Sequence, residues 1–352
     1  TGKVYITGKN GHYAFCPQKP SFINIVPTGK IVSIIGINDV KYLCPLLLAG
    51  NGNILGTTII IIGIAFERVT ISLSGVSIIF KNVMFNNCNL TDTYPMSSLQ
   101  LYITFVQIMW LSNVNSIFSI HNTIMVHFLI YKSVIYDLVL SIECQKCSLQ
   151  FHYVTFLARN VLSETFSKIV IFSKTYASIH KESKDLKMSR NILRLYKVRV
   201  ISSYYSSSVA ILNFLNVQLS SVDMSIVDSV FVSVSSPIKI SLSDRQAYNS
   251  PYIFSLNVSG CIFVKNSGKT GGIIHIDIPQ RLIFCVRANL AISTSHFSSN
   301  FMKNAGVVQI LNQQPFIKTN ITISNSTFQN NTALFGVVLY INSKLKIIQG
   351  YE

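Results

Sequence analysis

The pattern most suggestive of chemistry is "CQKCSLQFH", Cys144 to His152, whose Cys-x2-Cys-x4-His spacing opens a zinc knuckle. A fourth ligand would fall on Leu157, which cannot bind metal, and a closed structural zinc site needs four ligands. Cys144 and Cys147 are therefore read as a candidate local disulfide or as two free thiols, and neither a metal nor a cofactor is expected. "GKTGG", Gly268 to Gly272, ends like a phosphate-binding loop. Its first glycine would have to stand at Phe263, and a strand pattern follows where a helix is needed. "GNGNILG", Gly50 to Gly56, misses the dinucleotide spacing by one residue and runs into the strand-like "TTIIII". No Gly-x-Ser-x-Gly elbow occurs.

Acid–base work on a polysaccharide needs two or three carboxylates within a few ångströms, commonly with a Lys, Arg or His beside them. The chain has 13 Asp and Glu in 352 residues. Asp223 and Asp228 are close in sequence, His152 lies in a similar run, and Asp277 stands two residues after His275 in "IIHID". These residues seed an alternative reading, a polysaccharide lyase or glycoside hydrolase. With acids this sparse, the preferred expectation is that no residue is catalytic.

Basic residues are the stronger signal. The formal charge is +16, from 29 Lys and Arg, and such a field favours anionic partners. "KTYASIHKESKDLKMSRNILRLYKVR" concentrates it: Lys174, Lys181, Lys184, Lys187, Arg190, Arg194, Lys197 and Arg199 stand against only Glu182 and Asp185, a net +6. The expectation is a basic insertion near 174–192, leaving the fold as part of a loop that runs on to Arg199. It would contact anionic glycans or other cell-surface ligands, or simply stay solvated. No sequence-specific nucleic-acid partner is expected.

The elements that must position these residues are apolar and short. Hydrophobic residues make up 49% of the chain and charged ones 12%, half the usual share of about 25%, so most side chains must face inward. The clean apolar runs, "ILGTTIIIIGIAF" and "LQLYITFVQIMWL", fall well short of the ~20 residues of a membrane-spanning helix. "IMVHFLIYKSVIYDLVLSI" is interrupted by Lys132 and Asp137. The seven cysteines are scattered, which excludes a dense disulfide framework. Sequons at Asn89, Asn257, Asn320, Asn325 and Asn330 permit a secreted glycoprotein without requiring one. With Thr1 first and no leader pattern, the chain reads as an excised piece whose signal or anchor lies outside it.

An internal repeat organises the chain. Phe263, Phe297 and Phe328 each end an alternating run ("LNVSGCIF", "LAISTSHF", "ITISNSTF"), and each is followed by an Asn (Asn266, Asn300, Asn331) and then by a glycine at Gly271, Gly306 or Gly336. The same frame continues upstream at Phe85, Phe118, Phe156, Val200 and Phe231, with successive intervals of 33, 38, 44, 31, 32, 34 and 31 residues. Period-2 alternation inside a period near 32 disfavours helical repeats and is too short for propeller blades. The remaining solution is a coil that returns to the same position each turn, stacking equivalent residues about 4.8 Å apart. We therefore expect an all-β, right-handed parallel β-helix (solenoid) of about eight to ten coils. A capping region would occupy residues 1–50 and the β-helix residues 51–352. Phe85, Phe118, Phe156, Phe231, Phe263, Phe297 and Phe328, with Val200, would form one inward column. Asn266, Asn300 and Asn331 would form an amide ladder beside it.

Phe-x-x-Asn followed by Gly-Gly-[Ala/Ile/Val]-[Ile/Leu/Val] resembles the repeat of the chlamydial polymorphic membrane protein family, most closely over Leu256 to Ile341. The resemblance implies extracellular or surface display, adhesion and passenger-type roles. A non-enzymatic adhesion or polyanion/glycan-binding module is the expected function, and a structural spacer without ligand is a third reading.

Overall fold

The computed structural model describes residues 2–7, 21–25, 31–50, 58–74, 77–92, 100–111, 117–137, 139–158, 168–172, 190–202, 212–217, 221–235, 237–242, 252–268, 272–278, 286–303, 306–312 and 318–343. All 34 elements among these residues are β-strands. Thirty-one belong to one sheet, and Ser267–Gly268, Phe301–Met302 and Thr332–Ala333 form a second, three-stranded one. Every pairing is parallel, and most join a strand to the second or third strand along the chain, as Arg190–Tyr196 joins Ser221–Val227 and that joins Tyr252–Ser259. An all-β ladder of this kind is compatible with a parallel β-helix or solenoid.

Pairing continues across residue 50. Gly2–Thr7 pairs with Ile31–Tyr42, which pairs with Thr58–Glu67, and Leu46–Gly50 pairs with Thr70–Ser74. No helix among the described residues is long and apolar enough to cross a membrane.

Register converts alternation into columns. One column runs Phe66, Phe85, Trp110, Ile135, Phe156, Val200, Phe231, Phe263, Phe297 and Phe328. All but the half-buried Phe328 are buried. In its last four members the rings stack face to face, with centroids 4.8, 4.6 and 4.9 Å apart and planes within 3°. Phe118 is not in this column: it pairs with Leu90 and Leu140 on a different strand row. Its place is taken by Trp110 and Ile135, because the intervals between true column members are 19, 25, 25 and 21 residues in this part of the chain. Phe118 is buried all the same and packs edge-on against Phe128 at 5.2 Å.

Three residues before each column member the chain turns through the left-handed region. Gly63, Asn82, Gln107, Lys132, Tyr153, Lys197, Asp228, Gly260, Thr294 and Asn325 all have φ between 47° and 65°. This conformation interrupts strand alternation, so that Ile61, Ile64 and Phe66 are all buried although they are unevenly spaced. The corner amides donate to the next coil, from Asn82 N–H to the Val106 carbonyl through Thr294 N–H to the Ser324 carbonyl, at 2.9 to 3.1 Å.

On the other side of the Phe column the asparagines form the ladder. Asn300 Oδ1 accepts from Asn266 N–H at 2.9 Å, while its Nδ2 donates to the Phe263 carbonyl at 3.0 Å; Asn266 and Asn331 repeat the arrangement. Cys88 occupies the equivalent place earlier, its thiol directed at the Phe66 carbonyl at 3.3 Å. Gly271, the glycine expected in the Phe263 coil, lies outside the described residues; its neighbour Gly272 packs against the next coil. A Cβ there would lie 2.6 Å from the Gly306 carbonyl oxygen, and one at Gly306 would collide with the Gly336 carbonyl, so close approach of neighbouring coils demands glycine.

Two substitutions test the column. Phe297→Ala leaves a cavity between two fixed rings and should cost about 3 to 5 kcal/mol in denaturant unfolding. Trp110→Phe should be neutral or stabilising, because the Trp110 indole N–H is buried without a partner among the described residues and Phe is the column's commonest member. A large loss on Trp110→Phe would mean that the indole, not its column position, carries the packing there.

Candidate functional site

Five consecutive strands build the most chemically distinctive surface: Gln100–Val106, Ile117–Tyr131, Val139–His152, Arg190–Tyr196 and Ser221–Val227. Their inward residues are apolar, among them Phe105, Ile130, Phe151, Leu195 and Ile226. The outward residues next to the corner form a row, Val106, Tyr131, His152, Tyr196 and Val227. The corner itself gives a second row, Gln107, Lys132, Tyr153, Lys197 and Asp228, with φ between 48° and 57°. Aromatic and cationic side chains thus alternate across two adjacent rows.

Their contacts are specific. The Tyr153 ring stands edge-on to Tyr131 at 5.9 Å and to Tyr196 at 5.5 Å, with interplanar angles of 81° and 89°. Lys132 Nζ lies 5.3 Å from the Tyr131 ring, and Lys197 Nζ lies 5.4 and 5.2 Å from those of Tyr153 and Tyr196, all within cation–π range. A hydrogen bond to the Tyr196 side chain is the main reason that the Lys197 ammonium titrates above the ordinary lysine value, so it is charged at any physiological pH. Tyr153 remains 42% exposed between them.

Two rows further from the corner, Arg194 Nη2 donates to Asp223 Oδ2 at 2.7 Å. A shallow groove of about 470 Å³ runs past Ser148, Gln150, His152, Arg194, Tyr196 and Ser225. Tyr102 and His127 stack at 4.6 Å at the same end of the face, and burial lowers the His127 pKa.

Of the basic residues expected to act together, Arg194, Lys197 and Arg199 are brought to this region. Lys174, Lys181, Lys184 and Lys187 lie outside the described residues. The basic segment does not stay a loop to Arg199. Arg190–Tyr196 is a ladder strand, with Arg190 opposite Ser221, Lys197 is a corner, and Arg199 opens the strand Arg199–Ser202. The reason is local: Leu193, Leu195, Val198 and Val200 carry the same inward pattern as every other coil, and burying them outweighs the charges between, which point outward.

Tyr131, Lys132, Tyr153 and Tyr196 were not singled out by the sequence reading. The readable signal was a Tyr-Lys or His-Tyr pair ending three residues before the column: Tyr131 with Lys132, His152 with Tyr153, and Tyr196 with Lys197 precede Ile135, Phe156 and Val200 in this way.

The candidate acids do not converge. Asp223 is paired with Arg194, while Asp228 is a corner residue five positions on, on the order of 15 Å of extended chain. That exceeds the separations of about 5 to 9.5 Å used by glycosidase carboxylate pairs. His275 is buried, with Nδ1 2.7 Å from Gln309 Oε1, and sits two residues from Asp277 on the same strand. Among the described residues no group of three or more His, Cys, Asp or Glu could hold a metal. The thiols that are free and described, Cys88 and Cys261, are buried. Burial raises the Cys88 pKa and pushes that of Cys261 up to about 11, which leaves both as thiols rather than nucleophilic thiolates. Cys44 and Cys147 are each disulfide-bonded. The side chain of Cys144, expected as the partner of Cys147, lies outside the described residues.

Protein families, curated proteins and solved structures offer no match to this chain.

His275 makes a pH prediction. Burial, the largest cause, lowers its folded pKa below the ordinary 6.5, while the hydrogen bond to Gln309 opposes the shift. Below about pH 6.5 the unfolded chain takes up a proton that the folded chain resists, so stability present above that pH is lost as pH falls. The urea midpoint should therefore drop between about pH 7.5 and pH 5, and His275→Gln should flatten that part of the profile. An unchanged profile in the variant would assign the acid lability to other groups.

Proposed function

We propose that this chain is a right-handed parallel β-helix of about eight to ten coils, extracellular or surface-displayed, that binds anionic glycans as a non-enzymatic adhesion module. The ten-residue column supports the coil number, and the strong general preference of parallel crossovers for right-handed connection supports the hand. The repeat resemblance to the chlamydial polymorphic membrane protein family points the same way. Disulfide-bonded Cys44 and Cys147 suit an oxidising compartment. The sequon residues Asn257, Asn320, Asn325 and Asn330 are exposed, so glycans could be attached there without disturbing the core.

One observation carries the binding reading. Lys132, Arg194 and Lys197 share a face with Tyr131, Tyr153 and Tyr196, and Arg199 follows two residues beyond the Lys197 corner; of the carboxylates nearby, Asp223 is paired with Arg194 and Asp228 is the next member of the corner row after Lys197. Ammonium and guanidinium groups recognise carboxylate and sulfate. Exposed aromatic rings recognise the apolar face of a sugar. The two together fit a charged polysaccharide better than a duplex nucleic acid, whose stacked bases offer no accessible ring face.

Binding to immobilised heparin or polyuronate should weaken steeply as salt rises, because attraction between exposed charges is screened beyond about 8 Å at physiological ionic strength. Combined reversal of Lys132, Lys197 and Arg199 to Glu should remove most of the retention and leave the melting temperature nearly unchanged, since exposed charges contribute little to folding. Reversal of Lys181, Lys184, Lys187 and Arg190 should have the smaller effect. The opposite order would place the binding surface in the basic segment before the strand.

A further inference from the structure

Lys132, Tyr153 and Lys197 are consecutive members of one corner row, with φ of 48°, 57° and 51°. Their coils are in direct register, Ile135 opposite Phe156 and Phe156 opposite Val200, and each corner amide donates to the following coil. Identical backbone conformation means that the three side chains leave the stack in the same direction. Their spacing is set by the ladder, at about 4.8 Å per step and therefore roughly 10 Å from Lys132 to Lys197.

We infer that this row is a track for a linear polysaccharide running parallel to the stack axis, with one sugar ring on Tyr153 and the anionic groups of the two flanking sugars at Lys132 and Lys197. The ligand class is a polymer with one anionic group on every second sugar. The inference rests on the glycan-binding reading above and adds direction, register and charge spacing to it. The physical match is one of period: two sugars of an extended polymer advance about as far as two coils do. A carboxylate at the middle sugar would meet the electron-rich face of Tyr153, and the Lys197 ammonium that lies 5.4 Å from that ring already serves the flanking sugar, so alternate charge fits better than continuous charge.

The geometry is prepared in advance. Tyr153 is held by edge-on contacts with Tyr131 and Tyr196 yet is 42% exposed, and both ammonium groups are held within 5.4 Å of ring centroids. Side chains already fixed lose little freedom when a ligand arrives. Arg194 is committed to Asp223, and Gln150 and His152 line the groove beside the row, where they can hydrogen-bond sugar hydroxyls.

The test is titration calorimetry of the whole chain with defined oligosaccharides of alternating uronate and N-acetylhexosamine, which carry one carboxylate per disaccharide. Affinity should rise sharply from disaccharide to tetrasaccharide, the shortest even-numbered length that spans both lysines, and only slightly beyond it. A neutral N-acetylglucosamine tetramer and a tetramer of uronate alone should each bind more weakly. Tyr153→Asn, chosen because Asn tolerates the left-handed corner, should lower tetrasaccharide affinity on the order of tenfold or more, as loss of a central aromatic contact does, and Tyr153→Phe should retain it. Lys132→Gln and Lys197→Gln should each weaken binding and make it less sensitive to salt. If the lysine variants weaken binding but Tyr153→Asn does not, or if the all-uronate tetramer binds best, the axial track is wrong while anionic-glycan binding stands. If no anionic polymer binds at all, both readings fall.

Discussion

The hydrogen bond from a left-handed corner to the carbonyl of the next coil is the constraint on which the rest depends. A non-glycine residue in that conformation costs about 1 to 3 kcal/mol when nothing compensates. Here eight of the ten corner residues that share the position before the column are not glycine, and they include the long side chains of Gln107, Lys132, Tyr153 and Lys197. What holds them is the neighbour: each corner amide from Asn82 to Thr294 has its acceptor on the coil ahead. A single coil could not sustain this bend, but a stack can, because each copy supplies the partner that the preceding one needs.

Once the corner is fixed, the inside and the outside of the coil become separate problems. Inside, register brings like against like, and each column settles on whatever fills its space. The Phe231 to Phe328 rings stack face to face; the earlier part of the same column also stacks Phe66, Phe85 and Trp110 before Ile135 interrupts it, and packs Phe80, Phe105 and Phe118 from other rows edge-on around them. Several of the polar groups that enter complete a backbone bond. Ser133, Ser229 and Ser295 each accept from an amide of the preceding coil and donate to the carbonyl two residues back, and on the other side each ladder asparagine accepts from an amide and donates to a Phe carbonyl, both of the preceding coil. Cys88 and Cys261 direct thiols at carbonyls in the corresponding places, a weaker version of the same solution.

How far the sequence could be read follows from this division. The parallel all-β ladder was legible from Phe231 onward, because coils there keep intervals of 31 to 34 residues, and from Phe263 on they repeat Phe, then Asn three residues later, then Gly eight or nine residues later. Earlier coils differ in length outside the column, and a fixed period then lands on Phe118 although the aligned residues are Trp110 and Ile135. The offset that does persist is the three residues between corner and column. It is short enough to be independent of coil length, and counting from it would have recovered the frame. Of the surface site, charge was legible and placement was not. Arg194, Lys197 and Arg199 stood out as basic, but their alternation with Leu193, Leu195, Val198 and Val200 was the stronger signal and put them on the ladder. Tyr131, Tyr153 and Tyr196 are 22 and 43 residues apart and form a group only after the coils are stacked.

The same separation explains why exposed aromatic and cationic side chains gather at a corner. On a strand face, neighbouring side chains shield one another, as Arg194 and Asp223 do by pairing across two coils. At the corner the left-handed conformation turns the side chain away from the sheet, where neighbouring rings flank it and still leave it exposed; Lys197 is exposed while Val198 beside it is buried. Substitution there changes neither the column, which belongs to the residue three positions on, nor the backbone bond, which the corner residue's own N–H donates whatever its side chain. A row of corners is therefore free to vary in chemistry while its spacing stays fixed by the hydrogen-bond ladder. Flexible side chains on such a row inherit a repeat distance from the backbone, and that gives a surface of Lys and Tyr a periodicity that its own torsional freedom could not supply.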